Sequence, residues 1–450
     1  MSESRVMPRA RHVVIVLIAL GVIVVGWFAT RPGPMDFVGT PGVALSQYDG
    51  QPTGTPADLA NQDEPLVRGR YLTQAADCEA CHTSKGGRPF AGGVAFKTQF
   101  GTLYSPNITP DAQTGIGNWT DAQFLKAMHE GIRPDGARLY PAFPYASYTY
   151  LTEEDVLSIK AYLATIAPVK QLPPPNELSF PFNQRFLMTF WSAFFNPSER
   201  FRPQPDQSPE WNRGAYLVEG LAHCGECHTP RNLLQGLDNQ RKFAGAVVQG
   251  WRAYNITTNQ PAGIGDWSDD QLAAYLSTGH ARNRGSAAGP MLEAVELSLR
   301  HLSSSDIDAM IVYMRSVPAL TSPDLPAVLA EAAPSAHDGG ATRHLDGRGK
   351  EIFESACASC HTWSGAGALT SFATLTGARS VNDATATNVV QIILQGAAPR
   401  STDPNVFMPA FANAYSDVEI AAVANYVTAR FGAHRSSISA SAVADLRDGG

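Results

Sequence analysis

The feature that most constrains this chain is a five-residue pattern, Cys-x-x-Cys-His, which occurs three times in 450 residues. The copies contain all six cysteines of the sequence, so none remains for a structural disulfide. The residues of the three copies are Cys78, Cys81 and His82; Cys224, Cys227 and His228; and Cys357, Cys360 and His361.

This pattern is the attachment signature of c-type haem. Two thiols three positions apart on a helical turn form thioethers to one porphyrin, and the adjoining histidine supplies the proximal imidazole. Thioredoxin-like redox sites and zinc sites also use Cys-x-x-Cys. Zinc needs further ligands close by, however, and no second pair follows any copy. The pattern therefore predicts three covalently bound haems c, with His82, His228 and His361 as iron ligands.

The composition is that of an ordinary globular protein, with 44% hydrophobic residues, 17% charged residues and a net charge of −7. Mild acidity without a basic stripe predicts no nucleic-acid partner. We find no phosphate loop, dinucleotide fingerprint or Ser-His-Asp signature. The chain is thus expected to have no catalytic residues of its own and to leave substrate oxidation to another polypeptide.

An uncharged apolar run over residues 13–29 follows Arg5, Arg9 and Arg11. Its length is near the lower limit for spanning a bilayer, and no small-x-small cleavage site closes it. We therefore expect an uncleaved anchor rather than a removed signal. By the positive-inside rule the tip stays cytoplasmic. The expected location is the inner membrane, with the haem domains in the periplasm.

Proline-rich and alanine-rich stretches separate three repeats of about 100 residues. Repeats one and two share Arg-Gly-x-Tyr-Leu before the haem motif, and Asn-Ile-Thr and Gly-Ile-Gly-x-Trp after it; repeat three lacks the last two segments. The predicted fold class is mainly α, with three tandem class-I-like cytochrome c domains behind an N-terminal transmembrane helix. The predicted boundaries are 1–30 (anchor or signal), 31–62 (linker), 63–168 (domain one), 169–208 (aromatic and proline-rich linker), 209–318 (domain two), 319–341 (Ala/Pro linker), 342–432 (domain three) and 433–450 (flexible tail).

Each repeat closes with a helix whose start is marked by a capping box or its aspartate variant. Apolar residues then follow at helical spacing. Met310 and Met314 occupy such positions, so we assign them to the core and not to iron. The three boxes are Thr152-x-x-Asp155, Ser303-x-x-Asp306 and Ser416-x-x-Glu419.

A haem that only shuttles electrons needs a second axial ligand, and methionine raises its potential. The glycine that ends the penultimate helix gives a reference, Gly279 in repeat two and Gly396 in repeat three. Twelve residues further on lie Met291 and Met408, each in a turn that contains proline. We predict that these two methionines are the distal ligands.

The same count in repeat one starts at Gly131 and reaches Phe143, which cannot bind iron. Met128 is the nearest alternative, but leucine or isoleucine fills its position in the other repeats, which favours a core role. Haem one is therefore either five-coordinate, or bound by Met128 or His129 after a local rearrangement.

An aromatic segment lies between repeats one and two. One hypothesis is an interfacial helix or quinone-adjacent surface. The other is a connector packed between two haem domains. Its residues are Arg185, Phe186, Leu187, Met188, Phe190, Trp191, Phe194 and Phe195.

The chain resembles the membrane-bound tri-haem cytochrome c subunit of bacterial alcohol, gluconate and related sugar dehydrogenases. The resemblance covers most of residues 63–432 and rests on the segments 107–109, 115–119, 139–145, 288–291 and 408–411. It implies electron flow from a catalytic dehydrogenase subunit, of flavin, quinone or molybdenum type, through three haems to ubiquinone or a terminal oxidase.

That family usually has methionine where Phe143 stands. Related cytochromes with phenylalanine there resemble partners of molybdenum-containing aldehyde or heteroaromatic oxidoreductases. The rival interpretation is a catalytic haem oxidoreductase, peroxidase-like or acting on sulfur compounds, that uses an open iron at haem one.

Overall fold

The computed structural model describes residues 64–196, 198–260, 262–322, 347–399 and 406–449, together with 12–16, 18–19, 21–22 and 26. Most of its regular structure is helical. The helices are α1 (Pro65–Ala75), α2 (Cys78–His82), α3 (Asp121–Glu130), α4 (Tyr145–Tyr148), α5 (Glu153–Leu163), α6 (Leu187–Phe195), α7 (Pro209–Ala215), α8 (Gly225–His228), α9 (Asp269–Thr278), α10 (Gly289–Leu297), α11 (Ser304–Ser316), α12 (Gly347–Ile352), α13 (Ala358–His361), α14 (Arg379–Asn382), α15 (Thr387–Gln395), α16 (Asp417–Phe431) and α17 (Ala440–Gly449).

Short antiparallel strands lie between some of these helices along the chain. Strand β3 comes from the segment expected to be a linker and extends the first hairpin to three strands, in the order β1-β2-β3. The other two sheets are the hairpins β4-β5 and β6-β7. The strands are β1 (Ala95–Thr98), β2 (Gly101–Tyr104), β3 (Glu177–Leu178), β4 (Ala246–Val248), β5 (Trp251–Ala253), β6 (His280–Ala281) and β7 (Gly285–Ser286).

The first and last helices of each repeat pack across one another, as α1 with α5, α7 with α11, and α12 with α16. A glycine lies at each crossing: Gly69, Gly214 and Gly349. A Cβ at any of them would overlap a backbone carbonyl of the facing helix. Because glycine lacks that atom, the two backbones come into direct contact. The Arg-Gly pair thus recurs in all three repeats for a packing reason.

The arginine beside this glycine forms a buried ion pair with the last helix. Arg68 Nε donates to Asp155 Oδ1 at 2.8 Å, and Arg213 Nε donates to Asp306 Oδ1 at 2.8 Å. Both aspartates are almost completely buried. A buried carboxylate needs all its lone pairs satisfied, and one arginine does not satisfy them all.

The remaining partner of each aspartate comes from the other repeat. Tyr71 of repeat one donates its hydroxyl to Asp306 Oδ2 at 2.6 Å, and Tyr216 of repeat two donates to Asp155 Oδ2 at 2.5 Å. Burial and the neighbouring carboxylate raise the pKa of both phenols well above its usual range, so both remain protonated donors. The repeats thereby exchange equivalent hydrogen bonds.

The same two tyrosine hydroxyls replace one half of each capping box predicted in repeats one and two. The Thr152 and Ser303 hydroxyls accept from the third helical N–H as predicted. The backbone N–H groups of these two caps, however, donate to the hydroxyls of Tyr216 and Tyr71. The aspartate variant is therefore completed by a tyrosine from the other repeat. In repeat three, Glu419 accepts from the backbone N–H of its own cap, Ser416, at 2.9 Å and completes an ordinary capping box.

Within the described residues the buried apolar side chains form two cores. One is continuous through repeats one and two, whereas the second belongs to repeat three. Repeat three docks on repeat two through polar contacts: Asn388 accepts from Arg252 N at 2.8 Å and donates to the Arg252 carbonyl at 3.0 Å. The tyrosine position of the first two repeats is Glu351 here and is exposed.

The expected flexible tail over 433–450 is corrected by the structure. Residues Ala440–Gly449 form α17, and Val443 is fully buried against repeat three. The segment before it is held by Asn425, whose side chain bonds the N–H and the carbonyl of Ile438 at 2.9 and 3.0 Å. Burial of this apolar residue and satisfaction of the backbone by Asn425 order the segment.

The predicted membrane anchor is described only in part. Within residues 13–29 the structure describes 13–16, 18–19, 21–22 and 26, all of them helical. The other residues of that run, most of the segment 1–12 and the predicted linker 31–62 lie outside the described residues. Across the described parts of the chain, no helix combines the length and apolar character needed to cross a membrane.

Replacing Tyr71 or Tyr216 with phenylalanine removes one hydrogen bond to a buried carboxylate and leaves the backbone N–H of the Ser303 or Thr152 cap without its acceptor. We expect each variant to lower the free energy of unfolding by about 2 kcal/mol, measured by urea denaturation of the full chain. Tyr104→Phe, which touches neither ion pair, is the control. Equal losses in all three variants, or no loss in the first two, would show that the exchange does not join the repeats.

Candidate haem sites

The whole motif of repeat one forms α2, whereas in repeats two and three the first cysteine caps the short helix, α8 or α13, that contains the second cysteine and the histidine. In repeats one and two the residue before the first cysteine, Asp77 or His223, has a positive φ of 51° or 36°. The chain therefore turns sharply as it leaves the preceding helix. In repeat three a π-helical turn, Phe353–Cys357, leads into the motif instead. Both routes place the two cysteines and the histidine of a motif on one turn.

The histidine ring is oriented in the same way in all three motifs. Its Nδ1 lies 2.8 Å from the Pro106 carbonyl oxygen for His82, 2.6 Å from that of Tyr254 for His228, and 2.6 Å from that of Ala373 for His361. A carbonyl accepts only, so Nδ1 carries the proton and Nε2 keeps its lone pair. This is the arrangement of a metal-ligating histidine.

Burial lowers the pKa of all three rings, that of His228 to about 4. For His228 the Arg379 guanidinium of repeat three also acts in this direction. The rings are therefore neutral at physiological pH, as a metal ligand must be. The donor set fits a covalently attached haem: two thiols for the thioethers and one free imidazole nitrogen for the iron.

An asparagine holds the accepting loop in repeats one and two. Asn107 Oδ1 accepts from the N–H and the hydroxyl of Thr109, at 2.9 and 2.7 Å, and its Nδ2 donates to the Val169 carbonyl at 2.7 Å. Asn255 makes the same bonds to Thr257 and Leu320. The recurrent Asn-Ile-Thr therefore fixes the residue just before it, whose carbonyl orients the histidine.

The Gly-Ile-Gly-x-Trp segment packs on that loop. Ile116 N donates to the Thr109 carbonyl at 2.9 Å, and Ile264 N to the Thr257 carbonyl at 2.8 Å. A Cβ on Gly115 or on the equivalent glycine of repeat two would overlap this same carbonyl. Both segments shared by the first two repeats thus serve to position the proximal histidine.

Repeat three reaches the same geometry with a different loop. The accepting carbonyl belongs to Ala373, in the 3₁₀ turn Ser371–Ala373. Leu375 N then donates to the Gly365 carbonyl at 2.7 Å and closes the loop. Sequence reasoning missed all three accepting carbonyls because they are backbone atoms that any residue type supplies.

Burial keeps four of the cysteine thiols protonated. It is the largest cause that raises the pKa of Cys78 and Cys224 to about 12 and that of Cys227 and Cys357 to about 11. These four thiols are therefore neutral at physiological pH. Among the described residues no group of three or more His, Cys, Asp or Glu forms a metal-binding cluster. Asp77 of repeat one is a lesser cause of the Cys227 shift, which shows that the first two motifs are near neighbours.

The three glycines used as reference points behave as predicted. Gly131, Gly279 and Gly396 end α3, α9 and α15 with φ values of 64°, 74° and 73°. A short antiparallel pairing follows each of them: Ile132 with Arg138, β6 with β7, and Ala397 with Met408. Each pairing leads the chain to the position twelve residues past the glycine.

The residues at that position lie against the cores. Met408 lies in a backbone pairing, with its N–H 2.7 Å from the Ala397 carbonyl, and its partly buried side chain packs on the repeat-three core. Met291 and Phe143 are partly buried against the shared core of repeats one and two. We expected Met291 in a turn, but it lies in the first turn of α10, because Pro290 already has a helical φ.

The two alternative ligands for haem one, Met128 and His129, lie on α3. Met128 is 5% exposed and belongs to the shared core. His129 is buried at the end of α3, where burial and then the Arg200 charge lower its pKa to about 4. Met310 and Met314 are also buried in that core. The Phe143 ring lies 5.4 Å from that of Tyr148.

Residues 66–167 and 347–430 match the cytochrome c family. The chain is 40% identical over 426 residues to the fructose dehydrogenase cytochrome subunit of Gluconobacter japonicus, with 89% of this chain and 86% of the relative covered. This chain belongs to the cytochrome c family. Covalently bound haem c is the cofactor of that family.

Two further relatives of this cytochrome are named for other dehydrogenases. The gluconate 2-dehydrogenase cytochrome c subunit of Pantoea cypripedii is 35% identical over 410 residues, covering 87% of this chain and 91% of the relative. One subunit of the nicotinate dehydrogenase of Pseudomonas putida is 40% identical over 372 residues, covering 82% of this chain but only 30% of that protein. Relatives of this cytochrome are thus components of dehydrogenases with different substrates.

The aromatic segment of this cytochrome has two faces. Trp191 packs inward, with Nε1 donating to the Leu234 carbonyl of repeat two at 2.9 Å and its ring edge-on to Tyr145 of repeat one. Phe186, Phe190 and Phe194, four residues apart around α6, are 63%, 61% and 48% exposed. One face of the helix therefore connects the repeats, while the other presents a phenylalanine stripe to the exterior.

Asn107→Ala removes the side chain that fixes the Pro106 carbonyl. We expect amide hydrogen exchange in residues 105–119 to accelerate at least about tenfold, because losing bonds worth more than about 1.4 kcal/mol raises the open population by that factor. Peptide-level exchange by mass spectrometry measures this. The control is Asn118→Ala, whose exposed side chain makes one bond, to the Ala112 carbonyl. An unchanged rate in Asn107→Ala would contradict the positioning role.

Proposed function

We propose that this cytochrome is the tri-haem electron-transfer subunit of a bacterial dehydrogenase complex. The observation that carries the proposal is the threefold donor set, two cysteines and a histidine whose Nδ1 meets a backbone carbonyl. Each motif would hold one haem, whose iron cycles between the ferrous and ferric states and so carries one electron.

The chain's own residues supply orientation and ligation. His82, His228 and His361 would each offer Nε2 to an iron, and Met291 and Met408 would offer a thioether at haems two and three. A thioether raises the potential, and a filled sixth position excludes small ligands. Phe143 offers no ligand at haem one. The core position of Met128 favours an open sixth position there.

The relatives support a catalytic dehydrogenase subunit as the electron donor, and the acceptor is part of the proposal. A catalytic subunit of flavin, quinone or molybdenum type would deliver electrons, and ubiquinone or a terminal oxidase would accept them. Burial is the main cause of the raised pKa of Cys81, and Cys227, across the repeat boundary, is a lesser cause. The first two motifs are therefore close in space, which supports transfer between haems one and two. Three tandem haem domains on one chain would connect the donor to the acceptor.

We further propose that the chain is held at the periplasmic face of the inner membrane by its N-terminal run. Val13, Ile18 and Val22 are helical and more than half exposed, so their apolar surface is available to lipid. The exposed phenylalanine stripe on α6 supports a second membrane contact, since amphipathic helices with Phe and Trp lie in the interface.

A second candidate is a catalytic haem oxidoreductase that uses an open iron at haem one. The observation that favours it is Phe143, which stands where the sequence predicts a distal methionine in repeats two and three. Electron transfer is better supported, because the relatives of this chain include cytochrome subunits of dehydrogenases.

The chain purified in mild detergent from its own host tests the function. We expect three haems per chain, one fewer in each paired cysteine-to-alanine variant, and substrate-dependent reduction of a ubiquinone analogue by the copurified complex. Fructose, gluconate, ethanol and nicotinate are the substrates to test. Turnover of peroxide or of a reduced sulfur compound by the cytochrome alone would instead establish the second candidate.

Carbon monoxide binds ferrous haem iron that lacks a sixth ligand, so the equivalents bound per chain give the number of open irons. We expect the reduced wild type to bind one equivalent, at haem one, and Met291→Leu and Met408→Leu to bind two, because each loses a thioether ligand. Met310→Leu and Met128→Leu serve as core controls and should still bind one. If wild type binds none, or if Met128→Leu opens a new site, then the assignment of haem one is wrong.

A further inference from the structure

The proximal carbonyl of repeat two belongs to a residue whose side chain is held by repeat three. The Tyr254 hydroxyl donates to Asp383 Oδ2 at 3.3 Å. The guanidinium of Arg379 lies over the same ring, with Cζ 4.7 Å from the ring centroid. Two residues of repeat three therefore contact Tyr254, whose carbonyl orients His228. Arg379 of α14 lies over the ring, and Asp383, the residue after α14, accepts from the hydroxyl.

Arg379 is also bonded to the backbone of that loop. Its Nη2 donates to the Asn255 carbonyl at 3.1 Å, which is the peptide carbonyl next to that of Tyr254, and to the Ala262 carbonyl. Its backbone N–H donates to the Arg284 carbonyl at 3.1 Å. The positive charge is thus fixed inside repeat two although the residue belongs to repeat three.

The negative charge of Asp383 is balanced by a nearby arginine, Arg252. Asp383 is almost fully buried and pairs with Arg252 Nε at 3.4 Å in addition to the tyrosine hydroxyl. Two arginines and one aspartate therefore surround Tyr254, which leaves a net positive charge beside the proximal loop.

Neither of the other proximal loops has this arrangement. The accepting carbonyl is that of Pro106 in repeat one and of Ala373 in repeat three, and neither side chain carries a polar group. Within the described parts of the chain, His228 is therefore the one proximal histidine whose carbonyl partner belongs to a residue that side chains of another repeat contact.

We propose that Arg379 is a positioning residue for the haem site of repeat two and makes its reduction potential depend on the docking of repeat three. The guanidinium holds the Tyr254 carbonyl against His228 Nδ1, and its charge favours the form of the site that has gained an electron. This inference rests on the proposed tri-haem function. Hydrogen bonds to the other ring nitrogen of a ligating histidine and nearby charge are two established determinants of a metal site's potential.

The test is a spectroelectrochemical titration of the full chain. The wave of repeat two is identified as the one lost in the Cys224→Ala, Cys227→Ala double variant, and independently as the one moved by Met291→His. We expect Arg379→Gln to disfavour reduction of that haem about tenfold, the size of a typical effect of one neighbouring charge, which is a fall of about 59 mV for one electron.

Arg379→Lys keeps the charge and should restore at least half of this shift. Arg348→Gln is the matched control, because it removes an arginine of repeat three from an exposed ion pair with Glu419, away from the Tyr254 loop. An unchanged wave in Arg379→Gln, an equal shift in Arg348→Gln, or a common shift of all three waves would overturn the inference. If no wave belongs to repeat two at all, the tri-haem function itself fails, which is a different outcome.

Discussion

The close crossing of the first and last helices, made possible by Gly69, Gly214 and Gly349, is the contact on which the rest of the structure depends. It brings the arginine beside the glycine onto an acidic residue at the start of the last helix. In repeats one and two that acid is buried and needs a further donor, which the neighbouring repeat supplies. In repeat three the acid, Glu419, is only partly buried and accepts from the backbone of its own cap, so the repeat packs through other surfaces. One helix contact thus determines how the domains associate.

The haem sites depend mainly on backbone atoms. Two loops of unrelated sequence, one built around Asn107 or Asn255 and the other around a 3₁₀ turn, present a carbonyl to the same ring nitrogen. The sites differ in the side chains that surround the residue bearing that carbonyl. Because those neighbours are unequal, three identical attachment motifs produce three different environments.

The sequence was sufficient for the helical class, the helix-ending glycines and the core positions of Met310 and Met314, because these follow from local periodicity and backbone conformation. It was insufficient for contacts between distant segments. Tyr71 and Tyr216 were visible as repeated residues, but their partners lie more than 200 or about 60 residues away in the chain. The absence of this tyrosine from repeat three was a usable signal. The order of the C-terminal segment also depends on an asparagine thirteen residues before Ile438, which periodicity does not reveal.

The exchanged tyrosines make the interface between repeats one and two symmetric. Each repeat gives one hydroxyl and receives one at the equivalent carboxylate, so the contact between repeats one and two is self-complementary, as in a twofold homodimer. A single repeat with this tyrosine and this aspartate possesses both halves of the interface. Two such copies need only a linker to form this contact, whereas the third repeat, which has Glu351 in place of the tyrosine, packs through other residues.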